Sequence, residues 1–133
     1  MDTEDGLQRS VDTICVLIQR QFDNTTQNTR IPWYIITKES LGYIFGFVDG
    51  YQLSVKLQDM DTKIKMLNAV MMKIFGKQAG IDSTKIALEM QRNTDFDKAR
   101  KVGGQEAIDF LKHKTIPMGL SHILFDRSSD TAL

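Results

Sequence analysis

The stretch "LGYIFGFVDGYQL", Leu41 to Leu53, sets glycine at every fourth position, as Gly42, Gly46 and Gly50. The surrounding pattern is helical, yet a glycine inside a helix costs roughly 1 kcal/mol relative to alanine. On a helical wheel the three glycines form one ridge. Tyr43, Phe47 and Tyr51 form the next, and Ile44, Val48 and Val55 continue the apolar surface. Only Asp49 and Gln52, with Phe45 between them, interrupt it. A helix apolar on almost every side is buried, or lies between a core and a second subunit. This segment, expected to be helical over about 38–57, is therefore placed at the centre of the fold.

Small residues in a line let a second helix approach more closely than the ~8–10 Å usual between helix axes. A matching line, Ala99, Gly103 and Ala107, occurs in "DFDKARKVGGQEAIDFLKHK". Two such ridges predict a close helix pair, in which dispersion contacts along the seam offset the glycine cost. The pair forms either within the chain or between the glycine helices of two copies. The rival reading is that the glycines clear space for a ligand beside Tyr43 and Phe47.

Working outward, Leu7, Val11, Ile14, Cys15, Ile18 and Phe22 follow helical spacing and predict a first helix from about Asp5 to Phe22. "DNTTQNTRIP" reads as a polar loop ending at Pro32, and "WYIIT" leads into the glycine helix. Thr37 is its expected N-cap, with Ile36 and Leu41 as a hydrophobic staple. Asp59 or Asp61 is expected to cap a third helix that carries Met60, Ile64, Leu67, Met71, Ile74 and Phe75 on its core face and stops at Gly76. In that reading Met66 and Met72 point away from the core. Asp82 is the expected cap of a short fourth helix ending near Arg92. A fifth opens at Thr94 and ends near Lys114, and Pro117 introduces a last short one. The fold class is thus all-α, a compact bundle of five or six helices, with one domain over 1–126 and a frayed tail over 127–133.

A chain of 133 residues can bury a proper core without staples. Lys plus Arg balances Asp plus Glu at 17 each, which argues against a general nucleic-acid binder and does not oppose self-association. The single cysteine, Cys15, permits no internal disulfide and fits a reducing, cytoplasmic setting. "MDTEDGLQRS" lacks the layout of a signal peptide, and no apolar run approaches the roughly 20 residues of a membrane helix.

The residues that could carry chemistry are few. Asp49 is an acid on an otherwise apolar helix, and a buried carboxylate would need a partner. Glu106, Asp109 and His113 share one stripe, but three ligands on one helix lack a second wall, so no metal is expected. Trp33 and Tyr34 follow a proline and could form an aromatic lip. The sequence contains no phosphate loop, Cys-x-x-Cys or His-Glu-x-x-His motif. These features predict a non-enzymatic interaction protein, a small regulator or adaptor that pairs with a second copy, and no cofactor. The alternative is a small-ligand-binding or enzymatic domain with an aromatic pocket around Trp33, Tyr43, Phe47, Tyr51 and Asp49.

Overall fold

Local hydrogen bonding sets most of the helix boundaries. The computed structural model describes residues 3–26 and 37–124. The helices are α1 (Thr3–Thr26), α2 (Lys38–Ser54), α3 (Met60–Phe75), α4 (Lys77–Glu89) and α5 (Thr94–His113), followed by a short α6 over 119–124. Among the described residues there is no strand, and the fold is an all-α bundle. No helix among them is long and apolar enough to cross a membrane. The expected Ile36 staple and the expected tail over 127–133 lie outside the described residues.

Thr37 and Ser40 form a reciprocal capping box at the start of α2. The Ser40 amide donates to Thr37 Oγ1 at 3.1 Å, and the Thr37 amide donates to Ser40 Oγ at 2.8 Å. Asp59 caps α3 through the Thr62 amide, and Asn93 caps α5 through the amides of Asp95 and Phe96. Each satisfies donors that a helix start leaves without partners.

Several boundaries correct the sequence reading: α1 runs on to Thr26, through the first residues read as loop after Phe22, and α4 stops at Glu89, short of Arg92. The glycine helix ends at Ser54, not at 57. Lys56 takes a left-handed φ of 62°, the Leu57 amide reaches back to Gln52 O, and the Lys56 amide reaches Leu53 O. That is a Schellman closure with lysine in the place glycine usually holds. At the next corner, α4 starts at Lys77, so Asp82 lies inside the helix and does not cap it; it accepts from Gln78 Nε2. Gly76, at φ 96° and ψ 166°, ends α3 and opens α4 within one residue. Only glycine populates that backbone region readily.

The bundle is organised around α2, which touches each of the other four long helices and meets α5 most extensively. A Cβ on Gly42 would lie 2.4 Å from Phe96 O, one on Gly46 1.9 Å from Arg100 O, and one on Gly50 2.4 Å from Gly104 O. From the other side, a Cβ on Gly103 would lie 2.1 Å from Tyr43 O. The seam is therefore backbone against backbone within one chain. A Cα–Cβ bond is about 1.5 Å, so Gly46 Cα lies within about 3.4 Å of Arg100 O. That is the range of a weak Cα–H···O contact. Ala99 and Ala107 are buried beside Gly103. Phe96, fully buried, packs its ring 5.6 Å from that of Phe45.

α1 and α3 close the other side of α2. Ile14, Ile18 and Phe22 of α1 have no exposed surface, and the Phe22 ring meets Phe75 edge-on at 5.9 Å. In α3 the buried stripe is Met66, Leu67, Val70, Met71 and Ile74. This corrects the methionine assignment: Met66 is in the core and Met60 is 63% exposed. The stripe begins in the second turn of α3, so nothing packs over Met60, and Ile64 falls at the edge.

Candidate functional site

The aromatic ridge of α2 is interior. Tyr43 and Phe47 are fully buried, with ring centroids 6.0 Å apart, and Tyr51 is nearly so. Asp49 projects to solvent from another side of the helix. Gln52, read from the sequence as polar surface beside Asp49, is buried and donates to Lys63 O at 3.1 Å. Trp33 lies outside the described residues. The structure thus does not gather Tyr43, Phe47, Tyr51 and Asp49 around one opening.

Tyr43 instead belongs to a polar cluster in the core. Its hydroxyl donates to Glu106 Oε1 at 2.6 Å and accepts from Gln21 Nε2 at 3.0 Å. Glu106 Oε1 also accepts from the amides of Met118 and Gly119, and Gln21 Oε1 accepts from those of Leu120 and Ser121. Side chains of α1, α2 and α5 thereby meet at the start of α6. Burial first, and then the Glu106 carboxylate, push the Tyr43 phenol far above its ordinary value near 10. Sequence reasoning singled out Tyr43 and Glu106 but did not join them, and it missed Gln21. The available signal was that Gln21 falls on the apolar stripe of Ile14, Ile18 and Phe22, where a polar side chain needs a partner.

Of the metal-stripe residues, Glu106 is engaged in this cluster, Asp109 accepts from Gln105 Nε2, and His113 is exposed at the end of α5. Among the described residues, no group of three or more His, Cys, Asp or Glu is placed to hold a metal ion.

Cys15 is buried, with Sγ 3.9 Å from Val70 O. Burial pushes its thiol up to about 11, from an ordinary value near 9. Both raised groups act on stability with the same sign. The folded state keeps the thiol and the phenol protonated, while above pH ~9 the unfolded chain ionises the thiol and then tyrosine. Stability is therefore fully present below that pH and is lost as pH climbs through 9 to 11. We expect the urea midpoint to fall between pH 8 and pH 11, with a loss of at least about 1 kcal/mol, and a smaller fall in Cys15→Ala. A flat midpoint across this range would show that neither group is held neutral by the fold. At neutral pH, iodoacetamide should label Cys15 no faster than the protein unfolds.

Among the described residues, one of the grooves brings several exposed apolar side chains together. It lies between α2, α3 and the end of α4, encloses about 240 Å³, and is lined by Phe45, Val48, Met60, Ile64, Leu67 and Leu88. Val48 and Leu67 are buried in its floor, whereas Met60, Ile64 and Leu88 are 63%, 37% and 37% exposed. Asp49 of α2 and Lys63 of α3 also line it, as do Gln91 and Arg100. Arg100 is paired with Asp97 at 2.5 Å. The groove has an apolar base and one unlike charge on each wall, so it suits contact with another apolar surface.

No known protein family, curated protein or solved structure matches this chain.

Proposed function

We propose that the chain is a non-enzymatic helical interaction protein that pairs with a second copy of itself through the groove between α2 and α3. The observation that carries this reading is the convergence of Met60, Ile64 and Leu88 on one groove. Three large apolar side chains exposed together are an unusual feature for a surface that nothing covers. A two-fold axis is the commonest way to cover such a surface, and it sets the patch against itself. The charges suit that arrangement, since Asp49 and Lys63 stand on different helices of the groove. A two-fold mate can set Asp49 of one protomer against Lys63 of its partner. A net charge of zero adds no long-range repulsion.

Sedimentation at micromolar concentration tests the reading. The expected species has twice the 15.2 kDa chain mass. Replacing Ile64 and Met60 by glutamate should return it to one chain while preserving the helical spectrum, because both side chains are exposed and support little of the core. Burying an unpaired carboxylate at an interface costs at least about 2 kcal/mol per protomer, enough to weaken pairing by well over tenfold. A single species at the mass of one chain in the unaltered protein would reject the proposal. A dimer indifferent to both substitutions would place the contact elsewhere.

A further inference from the structure

We infer that α6 is a releasable strap, seated in a receptor that Gln21, Tyr43 and Glu106 build before the strap arrives. Four successive amides at the start of α6 are held by side chains and not by a local cap. Met118 and Gly119 donate to Glu106 Oε1 at 3.1 and 2.9 Å, and Leu120 and Ser121 donate to Gln21 Oε1 at 2.8 and 3.1 Å. The Ser121 hydroxyl adds a bond to Gln21 O at 3.2 Å. These anchors come from α1 and α5, and the bonds to Gln21 span 99 and 100 residues of chain. A described helix of only 119–124 has no stability of its own in water. Its seat holds it in place.

The seat has bonds that do not depend on the strap. Tyr43 Oη bonds Glu106 and Gln21 directly, so the three side chains keep their mutual arrangement when the segment leaves. The fit is close: a Cβ on Gly119 would lie 2.7 Å from Glu106 Oε2, 2.8 Å from Val102 Cγ1 and 3.0 Å from Tyr43 Cε2. Leu120 and Leu124 fill the apolar part of the seat without exposed surface. The connector contrasts with both ends. Lys114 stays with α5, its amide bonded to Phe110 O and its ammonium 5.6 Å over the Phe110 ring. Lys114 itself is left-handed at φ 58°, the segment beyond it is not helical, and Ile116 and Met118 are 72% and 43% exposed. A segment joined to the bundle by a connector in which only Pro117 is buried can open as a unit, at a free energy below that of global unfolding. Opening would uncover the polar seat and the apolar surface under Leu120 and Leu124 together.

Native-state hydrogen exchange on the full chain tests this. The amides of Gly119, Leu120 and Ser121 should exchange through an opening with little denaturant dependence, while amides of α2 and α5 along the glycine seam should exchange only by global unfolding. Gly119→Val should speed exchange at 120–121 by at least tenfold and speed tryptic cleavage after Lys114, where the chain leaves α5, with the seam amides unchanged. Gln21→Ala should act in the same direction and serves if the valine variant folds poorly. If 119–121 share the denaturant dependence of the seam, or if both variants raise exchange everywhere alike, α6 is a fixed part of the core and the inference fails.

Discussion

Gly46→Ala is expected to lose at least about 3 kcal/mol of stability, at the upper end of what overpacking costs, and Gly46→Leu should fail to reach the native fold. Helix propensity alone predicts the reverse, a gain of about 1 kcal/mol from replacing a mid-helix glycine by alanine. Geometry decides the sign. The added carbon would sit 1.9 Å from Arg100 O, 2.6 Å from Arg100 C and 2.7 Å from Arg100 Cα. All three are backbone atoms that cannot rotate away, so α2 and α5 would have to separate along their length. Gly104 supplies the control, because a Cβ there meets nothing closer than Gly46 O at 3.4 Å. Gly104→Ala should be neutral or gain up to about 1 kcal/mol. Urea unfolding followed by far-UV circular dichroism reads both. Wild-type stability in Gly46→Ala would remove the close seam from the account.

The second large effect is expected at the α3–α4 corner. Gly80→Ala would set a carbon 2.3 Å from Met72 Cα, 2.4 Å from Met72 N and 2.7 Å from Met71 C, again all backbone. The expected loss is at least about 3 kcal/mol. Gly76, four residues earlier, has open space around its missing side chain but a φ of 96°. Gly76→Ala should cost about 1–3 kcal/mol through backbone strain alone. The two substitutions separate collision from conformation: truncating the Met72 side chain to alanine cannot rescue Gly80→Ala, because the collision is with the main chain. Gly80→Ala at wild-type stability, measured by the same unfolding curves, would contradict the tight corner.

The elements legible in the sequence are those whose signal is periodic or chemically local. The helical class follows from the spacing of Ile14, Ile18 and Phe22 and of the α2 ridges. Thr37 and Asp59 could be read as caps because a short polar oxygen ahead of an apolar run has few other uses. The end of α2 was missed because an ordinary residue adopts an unusual backbone conformation there: Lys56 takes a left-handed φ, and nothing in a lysine announces that. Gly80 looked unremarkable because its use depends on a neighbour brought close by Gly76. Met60 failed for a different reason, since a wheel records direction but not whether a partner exists at that height of the helix. The polar cluster was hidden because Gln21, Tyr43 and Glu106 lie on three helices, and only the fold joins them.

The glycine line of α2 closes against α5 of its own chain. An isotope-filtered NOE experiment on a sample mixing labelled and unlabelled chains tests it most directly. The account predicts strong Hα contacts from Gly46 to Arg100 and from Gly103 to Tyr43 in the ordinary spectrum, with none of them in the spectrum filtered for contacts between chains. Appearance of the Gly46–Arg100 contact in the filtered spectrum would place the seam between two copies and contradict the account.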